Sequence, residues 1–548
     1  MGKSAVRGEF AGEHRRQFMR DLLRDLQALE QMIQDGLIEE GVRRTGAEQE
    51  VFLINSSWHP APAALELLER LDDPHFTTEL GLFNLEFNLE PHMLGGNCLS
   101  AMEAELIQHA TKLRNVANEV DIDFILTGIL PTIHKTDLGL ENMTPNDRYL
   151  AINLAMTELR GGEYDFYIKG LDELLVTHDS IMLEACNASF QVHLQVGAKE
   201  FANFYNTAMA LTGPILASCT NSPMLFGRRL WAETRIALFQ QSIDVRPTGS
   251  HPRESSPRVT FGNGWVKDSV MELYREDVAR FRTLVGMPVD EDPFEKLKND
   301  EAPQLKALRL HNGTVYRWNR ACYGLTDGKP HLRIENRVMP SGPSFADEVA
   351  NAAFWLGMMQ SFTSEFEDIT KAFEFEHAHM NFLSAARQGL GAPMTWSNGD
   401  EIPAQRLILD ELLPRAADGL DQRGIDPADR DRYLGIMEQR ISMGRTGSRW
   451  ILHSLAGMKA RGTVGQRLNT LVAATVERQK DNHPVALWDL AHLEEIGAGQ
   501  HNYFKISQYM QTDVISVQPD ESAFLVANLM EWERLRHIPV ESSDNKLV

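Results

Sequence analysis

At 548 residues, 43% of them hydrophobic and 24% charged, the chain has the balance of a globular protein and is longer than one compact core needs, so a large domain with something smaller beside it is expected. A formal net charge of −23 argues against nucleic acid as a partner, which clustered Lys and Arg would have to hold. Four scattered cysteines without C-x-x-C spacing suggest neither a disulfide frame nor a zinc cluster. No apolar run nears the roughly eighteen residues of a membrane span, and "MGKSAVRGEF" has no apolar signal core; the expectation is a cytoplasmic protein with reduced thiols and no membrane partner.

Residues 14–35 carry Phe18, Leu22, Leu26, Leu29 and Ile33 at helical spacing and predict an amphipathic opening helix. In "TGAEQEVFLI", residues 45–54, a strand over 48–54 sets Glu48 and Glu50 on one face, about 6.5–7 Å apart along the backbone. Two carboxylates at roughly 4 Å repel by on the order of 4 kcal/mol at an effective dielectric near 20, so something positive is expected between them. For an isolated E-x-E the simpler reading is a solvated strand face. A helical patch at 63–71 follows, then the alternating strand "GLFNLEFNLEP" at 81–91, a helix at 99–120 and a strand at 123–130.

"ASFQVHLQV", 188–196, alternates again, with Gln191, His193 and Gln195 opposite its apolar residues. "PHLRIENRVMP", 330–340, sets Arg333, Glu335 and Arg337 on one face and leads into a helix at 345–366. Residues 401–480 read as mainly helical, interrupted by "SMGRTGSRW" at 442–450, where Arg449 and Trp450 offer either a substrate loop or a plain turn. His377 and His379, at strand spacing in "HAHMNF", read as structural. Hairpin-like strands and segregated helices together point to an α+β fold with a mainly antiparallel sheet.

Four separated strands thus present oxygen donors: Glu48 with Glu50, then Glu86 with Asn88 and Glu90, then Gln191 beside His193, then Glu335 between Arg333 and Arg337. Glu79, before Glu86, can join from the preceding turn. Carboxylates and carboxamides predominate over Cys and His, which favours Mg²⁺ or Mn²⁺ over zinc. Convergence on two or more such ions would offset the repulsion, and the ions could clamp the phosphates of a nucleotide while Arg337 neutralises a moving phosphoryl group. G-x-x-x-x-G-K-[ST], G-x-G-x-x-G and H-E-x-x-H are absent; "GLTDGKPH" has neither the spacing nor the hydroxyl of a P-loop.

The segments "TGAEQEVFL", "TTELGLFNLEFNLEP", "MTPNDRYLAI", "NASFQVHLQV", "CTNSPMLFG" and "HLRIENRVMPSGP" resemble, in this order, those of glutamate-cysteine ligases and related carboxylate-amine ligases, over about residues 40 to 480. The resemblance implies a glutamine-synthetase-like antiparallel sheet forming a funnel for ATP and Mg²⁺ (or Mn²⁺), in a catalytic domain over residues 1–500. It implies Glu48, Glu50, Glu79, Glu86, Gln191 and Glu335 as metal ligands. Arg337 and Arg148 would be catalytic, Arg148 with Tyr149 on the substrate side, and Arg337, Gln191 and Arg235 would hold the nucleotide. The implied activity joins glutamate to an amine such as cysteine through a γ-glutamyl phosphate, as in glutathione biosynthesis, and the resemblance admits a homo-oligomer. His193, where many relatives have Asn or Asp, and Asn84, where they have Ser or Gln, depart from the pattern and leave the amine open. A degenerate sensor of ATP or an amino acid is the alternative; a guanidino kinase is disfavoured by the E-x-E and "TNSPMLFG" segments. Residues 506–548 resemble the first part of a CBS domain, from a "YM" start through "VISV" and a helix to "RHIPV".

Overall fold

The computed structural model describes residues 12–244, 246, 257–459, 461–495, 514–533, 535–542 and 546–548. Strands β1 (Arg44–Asn55), β2 (Phe76–Thr78), β3 (Asn84–Asn88), β4 (His92–Met93), β5 (Ile122–Ile125), β6 (Phe190–Val196), β7 (Asn319–Thr326) and β8 (Lys329–Asn336) form one sheet, in the order β7-β8-β6-β1-β3-β2 with β4 and β5 also pairing β1. Every pairing in it is antiparallel, as the sequence led us to expect. In β1 the residues from 44 to 50 alternate between half-buried and buried, so Glu48 and Glu50 share the open face while Ala47 and Gln49 face the core. Register then brings the distant strands together: Glu50 lies opposite Glu86, Glu48 opposite Asn88 and Gln191, and Glu335 opposite His193 and Arg320.

The β7–β8 hairpin turns at Asp327-Gly328, whose φ values of 51° and 76° are those of the tight turn that matches strand twist. Helix α1 (Gly12–Gln34) buries Phe18, Leu22, Leu26 and Leu29 as its spacing predicts. Farther along the chain, α2 (Cys98–Asn118) lies where the sequence puts a helix, and α3 (Phe201–Cys219) and α4 (Phe345–Glu365) are buried almost throughout, which explains their lack of a polar stripe. Helix α3 is fastened to the sheet by Tyr205 Oη, which donates to the Asn319 carbonyl at 3.0 Å, and by Thr212 Oγ1, which accepts from Asn319 Nδ2 at 2.8 Å. Helix α4 meets α5 (Leu413–Gln422) so closely that a Cβ on Gly419 would lie 1.9 Å from the Gly357 carbonyl. The loop between β8 and α4 is pinned to β1, where Ser341 Oγ donates to the Glu50 carbonyl at 2.8 Å, and to α4, where Glu348 accepts from Gly342 N at 2.6 Å.

Two local readings change. Arg449 and Trp450 belong to no substrate loop; they sit in a helix, Gly447–Met458, with Trp450 only 2% exposed, because Thr446 caps a helix immediately after the glycine-rich break. His377 and His379 lie on a helix, Phe375–Gln388, where His379 stacks on Phe261 with ring centroids 5.0 Å apart.

The chain divides into two compact units, residues 1–133 with 137–500, and residues 134–136 with 501–548. In the second, a helix, Ala523–Trp532, is capped by Ser522 and buries none of its residues, and a parallel bridge joins Val517 to Val540. The "YM" of the suggested CBS start, Tyr509 and Met510, lies outside the described residues. Among the described residues no helix is long and apolar enough to cross a membrane.

Candidate active site

Period-two projection gathers side chains from β1, β3, β6, β7 and β8 on one face of the sheet, in two groups. Glu50, Glu79 and Glu86 bring carboxylate oxygens within 4.8 Å of one another, and Glu48, His193 and Glu335 bring their donor atoms together within the same span. Glu79 enters from the turn between β2 and β3, where Thr144 Oγ1 donates to its carbonyl at 2.6 Å.

The first group is short of positive charge. Burial, joined by repulsion from Glu86 and Glu50, lifts Glu79 well above the ordinary carboxyl range; burial, joined by Glu48 and Glu50, pushes Glu86 up to about 8. Burial raises Glu50 as well, against the pull of Arg337 and of the Ser189 N–H, which donates to it at 2.6 Å. In the second group the balance reverses. Burial would raise Glu335, but the guanidiniums of Arg320 and Arg337 flank its carboxylate and hold it well below the ordinary range. Burial of Glu48 is likewise outweighed, chiefly by His193, so that its pKa is lowered. His193 Nε2 stands 3.0 Å from Glu48 Oε1 without the alignment of a hydrogen bond, and neither ring nitrogen has a hydrogen-bond partner although the residue is only 7% exposed. Crowded carboxylates and a buried imidazole drawn in beside one of them are groups that divalent cations would satisfy, so the residues fit a metal centre.

The second group borders open space. A cavity of about 630 Å³ touches Glu48 and Glu335 and is lined by Arg148, Lys306, Arg320 and Arg333. A smaller one, about 200 Å³, meets Glu48 and Arg333 from the side of Asn88, Gln195 and His331. The larger is of the size that takes a small ligand, and its walls favour an anionic one.

The model of glutamate-cysteine ligase family 2 matches residues 44–470. The chain belongs to glutamate-cysteine ligase family 2. Membership makes it a ligase of the carboxylate-amine class. No curated protein sequence matches it. Among solved structures it is similar to the 2.0 Å crystal structure of glutamate-cysteine ligase from Francisella tularensis in complex with AMP, at 12% identity and a TM-score of 0.49, covering 84% of this chain and 97% of that one. It is also similar to a bifunctional glutathione synthetase from Pasteurella multocida, at 11% identity and a TM-score of 0.48, covering 83% of this chain and 55% of that one.

In this family 2 ligase the residues named from sequence fall as follows. Glu50, Glu79 and Glu86 meet in one group; Glu48 and Glu335 meet in the other. Gln191 stands between the groups as a bridge, its Nε2 donating to Glu50 Oε1 at 2.7 Å and its Oε1 accepting from Arg337 Nη1 at 2.8 Å. Arg337 also pairs with Glu335. Arg148 lines the larger cavity, and Tyr149 Oη donates to the Thr78 carbonyl at 3.1 Å. Arg235 is 3% exposed and committed to Glu233 and, at 2.6 Å, to the Val338 carbonyl, so it braces the residue after Arg337 from below. Three residues of the site were not assigned from sequence. The sequence sets His193 on the same face as Gln191 but reads it as a departure from the family pattern and not as a ligand. Arg320 and Cys322 lie on β7, which the Asp-Gly turn signal of the hairpin would have revealed. Cys322 Sγ donates to Glu335 Oε2 at 3.1 Å.

Proposed function

We propose that the protein is an ATP-dependent ligase that joins the side-chain carboxyl of glutamate to a small amine, such as cysteine, through a γ-glutamyl phosphate. The observation that supports this best is the pair of donor groups on one sheet face, with Arg337 reaching both through Glu335 and Gln191. Divalent cations held by Glu50, Glu79 and Glu86, and by Glu48, His193 and Glu335, would supply the charge neutralisation that lets a carboxylate approach the terminal phosphate of ATP.

The chain's own residues supply positioning. Arg337 carries a fork of N–H donors suited to phosphate oxygens, and its partner Gln191 holds it in line with Glu50. Arg148, on the cavity wall, offers a cation to the carboxylate of an amino-acid substrate or to the leaving phosphate. Phosphoryl transfer to the glutamate carboxyl makes the acyl phosphate and ADP; the amine nitrogen then bonds to the acyl carbon, the bond to the phosphate oxygen breaks, and the amine loses a proton. No protein nucleophile takes part. We assign this chemistry to residues 1–500 and read 506–548 as a partial CBS module.

The test is ADP release from ATP with glutamate and a panel of amines, with Mg²⁺ or Mn²⁺ and with chelator. Release that depends on both one amine and the ion is the expected result. Nucleotide binding without turnover under every amine would overturn the reading in favour of a sensor.

A further inference from the structure

His331 and Arg333 share the open face of β8, and Arg333 borders both cavities, the smaller of which His331 also lines. The neighbouring arginines are committed to carboxylates: Arg44 to Glu39 at 2.6 Å, Arg320 to Glu335 at 2.8 Å, and Arg337 to Glu335. Arg333 is not. Among the described residues no carboxylate pairs with it, and its Nη1 lies 2.9 Å from His331 Nε2. A guanidinium only donates, so that nitrogen accepts and the imidazole is neutral. His331 is 3% exposed, and burial together with the charge of Arg333 pushes its pKa down to about 4. The contact therefore aims the fork of Arg333 without neutralising it.

Gly324 makes room for the pair. It lies opposite His331 in the β7–β8 ladder, and a Cβ there would stand 2.7 Å from Arg333 Nη1 and 2.9 Å from His331 Nε2. Glycine inside a strand weakens it and marks the close approach of another group; the group here is the guanidinium. A half-buried cation without an anion is completed by one from a ligand. The smaller cavity, about 200 Å³, falls below the roughly 300–1,000 Å³ of sites that enclose drug-sized ligands, so its guest is smaller than a nucleotide. Thr45, Asn88 and Thr326 give it polar groups, and Leu89 and Pro91 an apolar wall, a lining suited to an amino acid.

We propose that Arg333, aimed by His331 and admitted by Gly324, binds a carboxylate of an amino-acid substrate at the smaller cavity and so selects that substrate over analogues without the group. This rests on the ligase reading and gives it a specificity-determining residue, with His331 as the positioning residue. The α-carboxylate of glutamate and the carboxylate of an amino-acid acceptor are two sources of the same chemistry.

The experiment measures ADP release by the full chain with glutamate against 4-aminobutyrate, which keeps the reacting carboxyl but lacks the α-carboxylate, and with cysteine against cysteamine, which lacks the carboxylate of the acceptor. Calorimetric binding of glutamate and of cysteine, with Mg²⁺ and a non-hydrolysable ATP analogue, is measured alongside. Arg333→Ala should raise the KM and Kd of one of the two amino acids by roughly 10- to 100-fold, the loss of charge-assisted hydrogen bonds to a carboxylate. The wild-type preference for that amino acid over its analogue should shrink by the same factor, which identifies the source, while the KM for ATP keeps its wild-type value. Arg333→Lys, which keeps the charge but not the fork, should restore part of the preference. His331→Ala and Gly324→Ala misdirect the guanidinium rather than remove it and should raise the same KM by a smaller factor; circular dichroism checks that the variants are folded. A wild-type chain that uses both analogues as well as the amino acids, or a folded Arg333→Ala that keeps both preferences or loses affinity for ATP alone, would overturn the inference and leave the ligase reading in place. Absence of ADP release from the wild-type chain with every amine would overturn the ligase reading; the calorimetry then decides the role of Arg333, which stands if the alanine variant weakens amino-acid binding and falls if it does not.

Discussion

The β1–β3 side of the site and its β6–β8 side use the same residue type to opposite ends. On the first side Glu79 and Glu86 are crowded by other carboxylates, and their protons are held; on the second Glu335 is clamped by two arginines and loses its proton readily. Glu335 is the most buried of the three and yet the one whose pKa is lowered, so burial cannot explain the difference. The arginines decide it, and β7 and β8 carry both of them: Arg320 lies in β7 and Arg337 follows β8 directly.

Removing those cations should erase the contrast. The largest effect is expected for Arg337→Ala, which takes the guanidinium from both Glu335 and Gln191; ADP release should fall by about 10³-fold or more, as when a phosphate-neutralising arginine is lost. Full activity in that variant would mean that the contrast has no catalytic purpose. Arg320→Ala leaves Glu335 with one guanidinium fewer and should lower stability by about 3 kcal/mol in denaturant unfolding. Its pH profile should change as well. Glu335, with a lowered folded pKa, contributes stability that is present above its ordinary 4.5 and lost as the pH falls through the folded value; in Arg320→Ala that loss should move to higher pH.

The crowded side has the reverse sign. A carboxyl whose folded pKa is raised holds its proton more tightly in the folded chain, so the stability of metal-free protein is full below 4.5 and declines as the pH rises towards about 8. Glu86→Gln should flatten that decline by about 2 kcal/mol, less than the roughly 5 kcal/mol that about 1.4 kcal/mol per pH unit would give between 4.5 and about 8, because neighbouring carboxyls share the protons. Thermal unfolding across this range, with chelator, measures it; an unchanged slope would locate the crowding elsewhere. The smallest effect is expected for Asn88→Ala. Asn88 Nδ2 donates to Glu86 Oε1 at 2.9 Å, and its loss should cost about 1 kcal/mol at high pH and nothing once Glu86 is protonated.

Much of this arrangement was legible in the sequence because strand alternation is a local property. Glu48, Glu50, Glu86, Gln191, Glu335 and Arg337 each announce a face by their immediate neighbours, and a shared face requires only that the strands pair. Which strands pair, and in what register, is not local, so two groups of donors could not be separated from one. His193 illustrates the limit: its alternation was visible, but that its ring would stand beside Glu48 depends on β6 lying between β1 and β8. Arg320 is hidden for a simpler reason: "TDGK" raises the question of a phosphate loop before that of a hairpin turn. Arg449 and Trp450 read as loop or turn because a glycine-rich break ends one helix, yet it leads directly into the next.

The turn at Asp327-Gly328 has a corollary for change in this protein. Two residues leave no slack, so the pairing of β7 on β8 is fixed by the connector itself. An insertion of one residue in β7 beyond the turn would slide that strand by half a repeat, sending Arg320 and Cys322 into the apolar layer and exposing Ala321 and Tyr323 in their stead. Length variation is therefore poorly tolerated within β7, where one residue reverses the face of every side chain between the insertion and the strand's far end.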